Sequence, residues 1–340
     1  MSAERPPLVN VVDVTVSWAP DADLIGVNVP RPLWLAMRRR GVGGSDASAV
    51  WGINPYTSAY QLWVEKMGLS TFEDSEAARW GRLLEGPVAT EAAERYRWEV
   101  QEWGQLMFQS RTRPWQYANP DRLIYEADGT PVGLEIKTTS AWLADEWNDG
   151  ELPAHALLQA VHCMAVLGTG AWWVAGLIGG QKLVCYRVVR DLVLERLLID
   201  AEEAFWRRVV DGTPPDPDGS AATTEAMTAW FAPSDPELVV QLDGGQVELV
   251  RQLNDAKASV KAAEKARDEL ANQVRQMLGH AETAVTPDGQ VAATWKQQND
   301  RRVSVPREFI ERAAVQRRPG DVRTITLTAP GHRALLTKKV

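Results

Sequence analysis

The spacing of apolar and polar residues along the chain predicts a mixed α/β fold. Apolar residues recur at helical spacing in five segments, at residues 32–40, 59–67, 76–96, 153–167 and 192–210. β-branched and aromatic runs bounded by turn residues predict four strands, at residues 115–125, 132–138, 171–178 and 182–189. This order of elements predicts a central mixed sheet flanked by helices.

Three local signals refine the predicted elements. Gly86-Pro87 is expected to kink or split the helix at 76–96, because proline lacks the backbone N–H that a helix needs. Ser45 is a candidate N-cap for a short helix that ends near Trp51. The turn sequence from Glu126 to Gly129 predicts a hairpin between the strands at 115–125 and 132–138.

The last third of the chain has a different pattern. Residues 212–219 read Gly-Thr-Pro-Pro-Asp-Pro-Asp-Gly, a composition typical of a linker. We therefore predict a core domain at 1–211, a linker at 212–219 and a C-terminal appendage at 220–340. Apolar steps near three and four over 249–278 predict a long coiled-coil-like helix in the appendage, followed by a small β unit.

Composition excludes several classes of protein. The chain has 340 residues, of which 45% are hydrophobic and 24% charged, as in a globular protein. Its two cysteines are too few for a disulfide framework or an iron–sulfur cluster, and they suit a reducing compartment. Polar positions and a glycine turn interrupt the apolar stretch at 156–180, so no membrane association is expected. The net charge of −8 argues only weakly against a nucleic-acid partner.

The predicted hairpin carries three charges that a purely structural sheet would not need. Glu135 and Lys137 are two residues apart, so they share one face of a strand, and Asp121 begins the partner strand. Two carboxylates at close range repel unless a cation lies between them. Mg²⁺ prefers such oxygen ligands and could activate water, with Mn²⁺ as a possible substitute. The alternative is a solvated hairpin with a surface ion pair.

Four blocks of sequence, spread over about residues 30–210, resemble the PD-(D/E)XK nucleases. The resemblance is strongest to the phage recombination exonucleases of the YqaJ and lambda-exonuclease type. The blocks are the segment from Trp34 to Tyr56 that contains Gly43-Gly44-Ser45, Arg79 to Glu85, Asn119-Pro120-Asp121 with Glu135-Ile136-Lys137, and Leu158 to Met164. One departure is Arg122, where the family usually has glycine.

The resemblance implies a role for each residue of the hydrolytic centre. It implies that Asp121, Glu135 and the main-chain carbonyl of Ile136 bind the metal ion. Lys137 would serve the attacking water. It further implies that Glu85 completes the metal environment from its helix and that Gln159 orients groups around the centre. The catalytic set would then consist of Asp121, Glu135, Lys137, Glu85 and Gln159.

The same resemblance implies a site for the DNA end. Arg38 and Ser45 would receive the 5′ phosphate, a role that suits a guanidinium donor and a hydroxyl at a helix start. His162, by contrast, is expected to be a packed, hydrogen-bonded residue and not a ligand.

The family resemblance also implies a function. The expected activity is a Mg²⁺-dependent 5′-to-3′ exonuclease on double-stranded DNA that leaves 3′ single strands for homologous recombination by annealing. A homo-oligomeric ring, a single-strand annealing protein as partner and the cytoplasm of a bacterial host as location are expected with it. Two alternatives stay open: a structure-specific or site-specific endonuclease of the same superfamily, and a non-enzymatic DNA-binding or scaffold protein.

Overall fold

The chain folds as two compact units, residues 1–235 and 236–340. The computed structural model describes residues 18–69, 75–101, 104–147 and 150–297, together with the backbone of strands at 301–306, 324–329 and 333–337.

The first unit combines nine strands with seven α-helices within its described residues. In chain order they are β1 (Ala22–Val27), α1 (Arg31–Arg38), β2 (Val42–Gly43), α2 (Ala47–Val50), α3 (Ala59–Lys66), α4 (Glu76–Tyr96), β3 (Glu99–Val100), β4 (Leu106–Ser110), β5 (Gln116–Ala118), β6 (Arg122–Tyr125), β7 (Pro131–Thr139), α5 (Ala154–Leu167), β8 (Ala171–Ile178), β9 (Lys182–Val189), α6 (Leu192–Asp211) and α7 (Ala221–Trp230).

The strands form two mixed sheets. The main sheet has the order β3-β6-β7-β8-β9, with β7 and β8 parallel and the other pairs antiparallel. The second sheet has the order β1-β4-β5-β2, and its only parallel pair is β2 with β5. The predicted α/β class with a mixed sheet and surrounding helices is thereby confirmed.

The predicted strand at 115–125 is wrong as one element, since it consists of two strands in different sheets. β5 belongs to the second sheet and β6 to the main sheet, and residues 119–121 separate them. Pro120 has no N–H to donate to a ladder, so the strand ends there. The predicted hairpin survives as β6 and β7, which pair from Arg122 opposite Leu134 to Tyr125 opposite Pro131.

Helix α5 is the central helix of this unit. It contacts β4 and β5 of the second sheet and β8 of the main sheet. Its apolar side chains join those of β4 and β8 in one buried cluster, which includes Leu158, Met164, Phe108 and Trp172. Such close packing fixes the rotation of α5, and with it the direction in which its polar side chains point.

Helix α4 covers the main sheet next to β6 and β7. Its Val88, Ala89 and Ala92 pack against Leu134 and Ile136 of β7. The predicted split at Gly86-Pro87 is wrong, because α4 runs unbroken from Glu76 to Tyr96 with Pro87 inside it. Pro87 lies on the exposed side, where water can satisfy the carbonyl that its missing N–H leaves free.

A buried hydrogen-bonded network joins β5, α5 and α6. The fully buried His162 donates from Nδ1 to Oε1 of Glu202 at 2.7 Å and from Nε2 to the carbonyl of Tyr117 at 2.9 Å. Gln116 donates to the other Glu202 oxygen at 2.6 Å. Burial lowers the pKa of His162, but the Glu202 carboxylate outweighs it, so the pKa lies above its usual value. His162 is therefore a buried structural cation, and the prediction that it is packed and hydrogen-bonded is confirmed.

Helix α7 belongs to the first unit. Ala226 of α7 packs with Trp63 of α3 and Phe205 of α6 in a third apolar cluster. The predicted linker at 212–219 connects α6 to α7, so the division between the two units falls about 16 residues later than the sequence suggests, after Asp235.

The second unit contains a long helix and short strands. Its elements are α8 (Gly244–Leu278), β10 (Thr283–Val285), β11 (Val291–Gln297), β12 (Arg301–Pro306), β13 (Thr324–Ala329) and β14 (Arg333–Thr337). Asp243 caps α8 by accepting a hydrogen bond from the N–H of Gln246. β10, β11 and β14 form one sheet, and β12 pairs with β13. These elements match the predicted long helix and small β unit.

No described helix combines the length and the apolar character that crossing a bilayer requires.

The His162–Glu202 pair predicts a pH-dependent stability. A raised folded pKa contributes stability in full below the unfolded value near 6.5, and that contribution is lost as pH rises through the folded pKa. We expect Glu202→Gln to flatten the dependence of unfolding free energy on pH in this range. Urea unfolding of both proteins from pH 6 to 9 measures it, and two parallel curves would contradict the charged His162.

Candidate active site

Strand β7 presents Glu135 and Lys137 on one face in the middle of the main sheet. Leu134 and Ile136 alternate with them and pack under α4. Because β6 and β8 flank β7 on both sides, Glu135 is only 2% exposed. The Lys137 side chain is 26% exposed, so its ammonium group can still meet a ligand.

Glu135, Lys137 and Gln159 form a closed triangle of hydrogen bonds. Lys137 Nζ lies 2.8 Å from Glu135 Oε1 and 2.7 Å from Gln159 Oε1, and Gln159 Nε2 lies 2.5 Å from Glu135 Oε1. The charges dictate the orientation of the amide, because an ammonium group can only donate and a carboxylate can only accept. Gln159 thus connects the Glu135 and Lys137 side chains of β7 to the central helix α5.

Asp121 lies beside this triangle, immediately before β6. Its Oδ2 accepts a hydrogen bond from the N–H of Ile136 at 2.7 Å, which fixes the carboxylate next to Glu135 across the hairpin. Loss of hydration raises the pKa of Asp121 well above its usual value, and the Glu135 and Glu85 carboxylates raise it further. The site therefore concentrates negative charge that the protein itself does not fully neutralise.

Glu85 approaches from α4 and has Arg122 as its neighbour. Arg122 Nη1 lies 3.9 Å from Glu85 Oε2 and donates to the main-chain carbonyl of Asp121 at 2.5 Å. Burial raises the pKa of Glu85, and Arg122 only partly counters it. Arg122 thus lies between Glu85 and Asp121.

The donor set fits a divalent cation. Oε2 of Glu135 is buried and has no hydrogen-bond partner among the described residues, although an ionised oxygen in that position demands one. Within the described part of the chain, no three acidic, histidine or cysteine side chains enclose an ion by themselves. An ion would therefore take Asp121, Glu135 and the carbonyl of Ile136, and would fill its remaining positions with water or substrate oxygen, as Mg²⁺ commonly does.

Arg38 and Ser45 also meet, at a separate corner of the site. Arg38 Nη2 donates to Ser45 Oγ at 2.7 Å and to Asp46 Oδ1 at 2.6 Å. The prediction that Ser45 caps a helix is wrong, because Ser45 lies inside a single 3-10 turn, Gly44–Asp46, that precedes α2. Asp46 closes that turn by accepting from the N–H of Gly43.

The residue that sequence analysis missed at this corner is Lys66. Its Nζ lies 2.5 Å from Asp46 Oδ2 and 2.9 Å from the carbonyl of Arg38, and it is nearly buried at the end of α3. Burial favours the neutral form of Asp46, but the Arg38 and Lys66 cations outweigh it and hold the pKa of that carboxyl far below its usual value. The single negative charge of Asp46 faces two cations, so the positive charge of Arg38 is only partly neutralised.

The 3-10 turn lies directly against α5. A Cβ atom added to Gly44 would lie 3.1 Å from both Cys163 Sγ and Gln159 Cγ, which is tighter than ordinary van der Waals contact, so glycine allows this close approach. Because of this close approach, Ser45 and Gln159 line one cavity of about 210 Å³ together with Lys137. Tyr56 and His155 line it as well, although no sequence pattern predicts a functional role for either residue by itself.

Together, the mixed sheet, Glu135 and Lys137 on β7 and Asp121 immediately before β6 have the arrangement of a PD-(D/E)XK-type domain. Residues 33–171 match the family described as the YqaJ-like viral recombinase domain. The uncharacterized protein YqaJ of Bacillus subtilis is 34% identical over 271 residues, which cover 78% of this chain and 83% of that protein. The chain belongs to the YqaJ-like viral recombinase family. The predicted family and its enzyme class, a deoxyribonuclease, are thereby confirmed.

Two further likenesses cover smaller parts. Protein D345L of African swine fever virus is 47% identical over 53 residues, 15% of each chain. The crystal structure of an alkaline exonuclease from Laribacter hongkongensis aligns with a TM-score of 0.45 and 20% identity, over 53% of this chain and 93% of that one.

The buried Lys66–Asp46 pair gives a stability prediction. Lys66→Met leaves Asp46 buried with Arg38 as its one remaining cation, so we expect a loss of about 3 kcal/mol in unfolding free energy. Lys265→Met is the control, because that side chain is 80% exposed and its ion pair contributes at most about 1 kcal/mol. Urea unfolding at pH 7 measures both. Equal effects of the two substitutions would show that the pair does not hold the corner together.

Proposed function

We propose that this protein is a divalent-metal-dependent exonuclease that digests double-stranded DNA from 5′ ends and leaves 3′ single strands for recombination by annealing. The observation that carries the proposal is the buried Oε2 of Glu135, which has no hydrogen-bond partner in the part of the chain that the structure describes, beside the crowded carboxylate of Asp121. Mg²⁺ is the proposed ion, with Mn²⁺ as a substitute, because all the candidate donors are oxygens.

Hydrolysis needs an attacking water, a polarised phosphate and a way to handle protons. A divalent ion at Asp121 and Glu135 would lower the pKa of a bound water and stabilise the charge that develops on the phosphate. Lys137 lies beside this position, held by Glu135 and Gln159, so its ammonium group can orient the water and offset phosphate charge. Glu85 would complete the acidic environment from α4.

Lys137 is the side chain best placed to exchange a proton with the attacking water. Burial lowers its pKa, but the Glu135 and Asp121 carboxylates outweigh this and raise it, so the amine is charged. Those same carboxylates hold the proton there. Compensation of their charge would let Lys137 release that proton to solvent more easily, and the neutral amine could then accept a proton from the water.

Arg38 and Ser45 support the proposed polarity. Their donor groups are adjacent, and the cavity connects Ser45 to Lys137 and Gln159. A 5′ phosphate at Arg38 and Ser45 would therefore place the start of a strand on the way to the hydrolytic residues. An oxyanion is a better partner for Arg38 than the single Asp46 oxygen it now has, since a guanidinium can bind two oxygens at once.

Three further parts of the proposal rest on the resemblance of the sequence to phage recombination exonucleases. We propose a homo-oligomeric ring around DNA, a single-strand annealing protein as partner, and a bacterial host cytoplasm as the place of action. Helix α8 offers a surface for such contacts, because Leu249, Leu253, Val260 and Leu270 are each more than half exposed along it. Sedimentation of the purified full chain tests the oligomer.

The leading test of the function uses linear duplex DNA labelled at either the 5′ or the 3′ terminus. With Mg²⁺ we expect early release of the 5′ label as mononucleotide and late release of the 3′ label, and no release in EDTA. Release from the 3′ label first would contradict the polarity. Cleavage of a covalently closed circular duplex would favour the endonuclease alternative, because an exonuclease needs an end.

Lys137→Ala and Asp121→Asn are expected to lower the cleavage rate at least about 10²-fold each. The fold should persist. The raised pKa of Asp121 means that its charged form destabilises the folded state. Because Asp121→Asn removes this charge, the unfolding free energy is expected to stay level or rise. Nucleotide release from the linear duplex and urea unfolding measure the two effects. Near-normal cleavage by either variant would refute the site.

Arg38→Ala is expected to weaken cleavage of 5′-phosphorylated ends about tenfold or more, which corresponds to one lost charge-assisted hydrogen bond, ~1.5–3 kcal/mol. Ends that carry a 5′ hydroxyl should lose much less. The ratio of initial rates on the two substrates is the measurement, and an equal loss on both would remove Arg38 from end recognition.

A further inference from the structure

The cavity beside the hydrolytic residues has a wall that neither the metal site nor the phosphate corner explains. Lys137 and Gln159 line one side, and Ser45 lines another. Tyr56 and His155 line the cavity as well, and the other lining residues are Ser48, Asn54, Thr138, Thr139, Leu143, Glu146 and Trp147. A volume of about 210 Å³ is below the roughly 300–1,000 Å³ of sites for drug-sized ligands. It suits one nucleotide unit of a strand and excludes a duplex.

Tyr56 is held in place by its backbone while its ring stays open to solvent. Asn54 Oδ1 accepts hydrogen bonds from the N–H groups of Tyr56 at 2.8 Å and Thr57 at 2.9 Å, and Asn54 Nδ2 donates to Ser48 Oγ at 2.8 Å. These bonds tie the turn to α2. The Tyr56 side chain is nevertheless 65% exposed, so a large aromatic surface next to the cavity is left uncovered.

His155 at the start of α5 gives the wall a second ring. Its centroid lies 6.5 Å from that of Tyr56, and the two planes meet at 81°, an edge-to-face pair. The ring is partly buried. Burial and the Lys137 ammonium group favour its neutral form and lower its pKa, and the carboxylate of Glu146, which also lines the cavity, only partly counters them.

We infer that Tyr56 and His155 form a subsite for the base of the 5′-terminal nucleotide, with the Tyr56 ring as the stacking surface. This inference rests on the proposed function, since it names what lies between the phosphate corner and the hydrolytic residues. An aromatic face accepts any base, because every base presents a π surface. The subsite therefore contributes to holding the strand end in the cavity without selecting its sequence.

The test measures binding without cleavage. Fluorescence anisotropy in EDTA gives the affinity of the full chain for 5′-phosphorylated duplexes that differ only in their first nucleotide, which is either normal or abasic. Tyr56→Ala is expected to weaken binding of the normal end at least about fivefold, the lower bound for loss of one base–aromatic stack. On the abasic end the same substitution should change affinity less than twofold, because there is no base to stack.

Two further variants serve as controls. Tyr56→Phe keeps the ring and should bind like the wild type. Phe231→Ala removes a ring of similar exposure, 63%, that does not line the cavity, and it should have no effect. The inference is overturned if Tyr56→Ala loses the same factor on both ends, if it loses nothing on the normal end, or if Tyr56→Phe loses as much as Tyr56→Ala.

These outcomes do not depend on whether the proposed function is correct. Binding in EDTA requires neither the metal ion nor hydrolysis, so a difference between normal and abasic ends would support the subsite even in a chain that cleaves with another polarity. Conversely, 5′-to-3′ digestion with no effect of Tyr56→Ala on binding would leave the nuclease intact and remove only the subsite.

Discussion

Crowding of negative charge between β6, β7 and α4 is the constraint on which the rest of the site depends. Glu135 is fixed inside the main sheet, Asp121 is held beside it by the N–H of Ile136, and Glu85 approaches from α4. Close carboxylates repel, and Lys137 supplies one positive charge among them. The fold therefore holds several carboxylates close together, and a bound divalent cation would reduce the repulsion between them.

The other buried charges of the first unit show what a purely structural solution looks like. Glu202 has both oxygens bonded, to His162 and to Gln116. Asp46 is likewise satisfied by Arg38, Lys66 and the N–H of Gly43. In contrast, Glu135 has one oxygen that accepts two hydrogen bonds and another with none among the described residues. The same chain thus satisfies its structural carboxylates completely and leaves this one available.

Local pattern was enough to predict β7 and α5, which carry Glu135, Lys137 and Gln159, but not the break before β6 or the contacts between distant residues. The strands at 171–178 and 182–189 follow from β-branched and aromatic runs bounded by turn residues, and the Glu-x-Lys spacing places both side chains on one face whatever the surroundings. The Lys66–Asp46 pair spans 20 residues and the His162–Glu202 pair spans 40, so neither is visible in a local pattern. The assignment of Ser45 as a cap failed because Asp46, one residue later, closes the turn instead.

The central claim is that Asp121 and Glu135 hold a divalent cation. Crystals of the protein grown with Mn²⁺, measured at a wavelength where manganese scatters anomalously, test this most directly. We predict an anomalous peak bounded by both carboxylates and the carbonyl of Ile136. A map with no peak there, in crystals that show Glu135 and Asp121 ordered and manganese bound elsewhere, would contradict it.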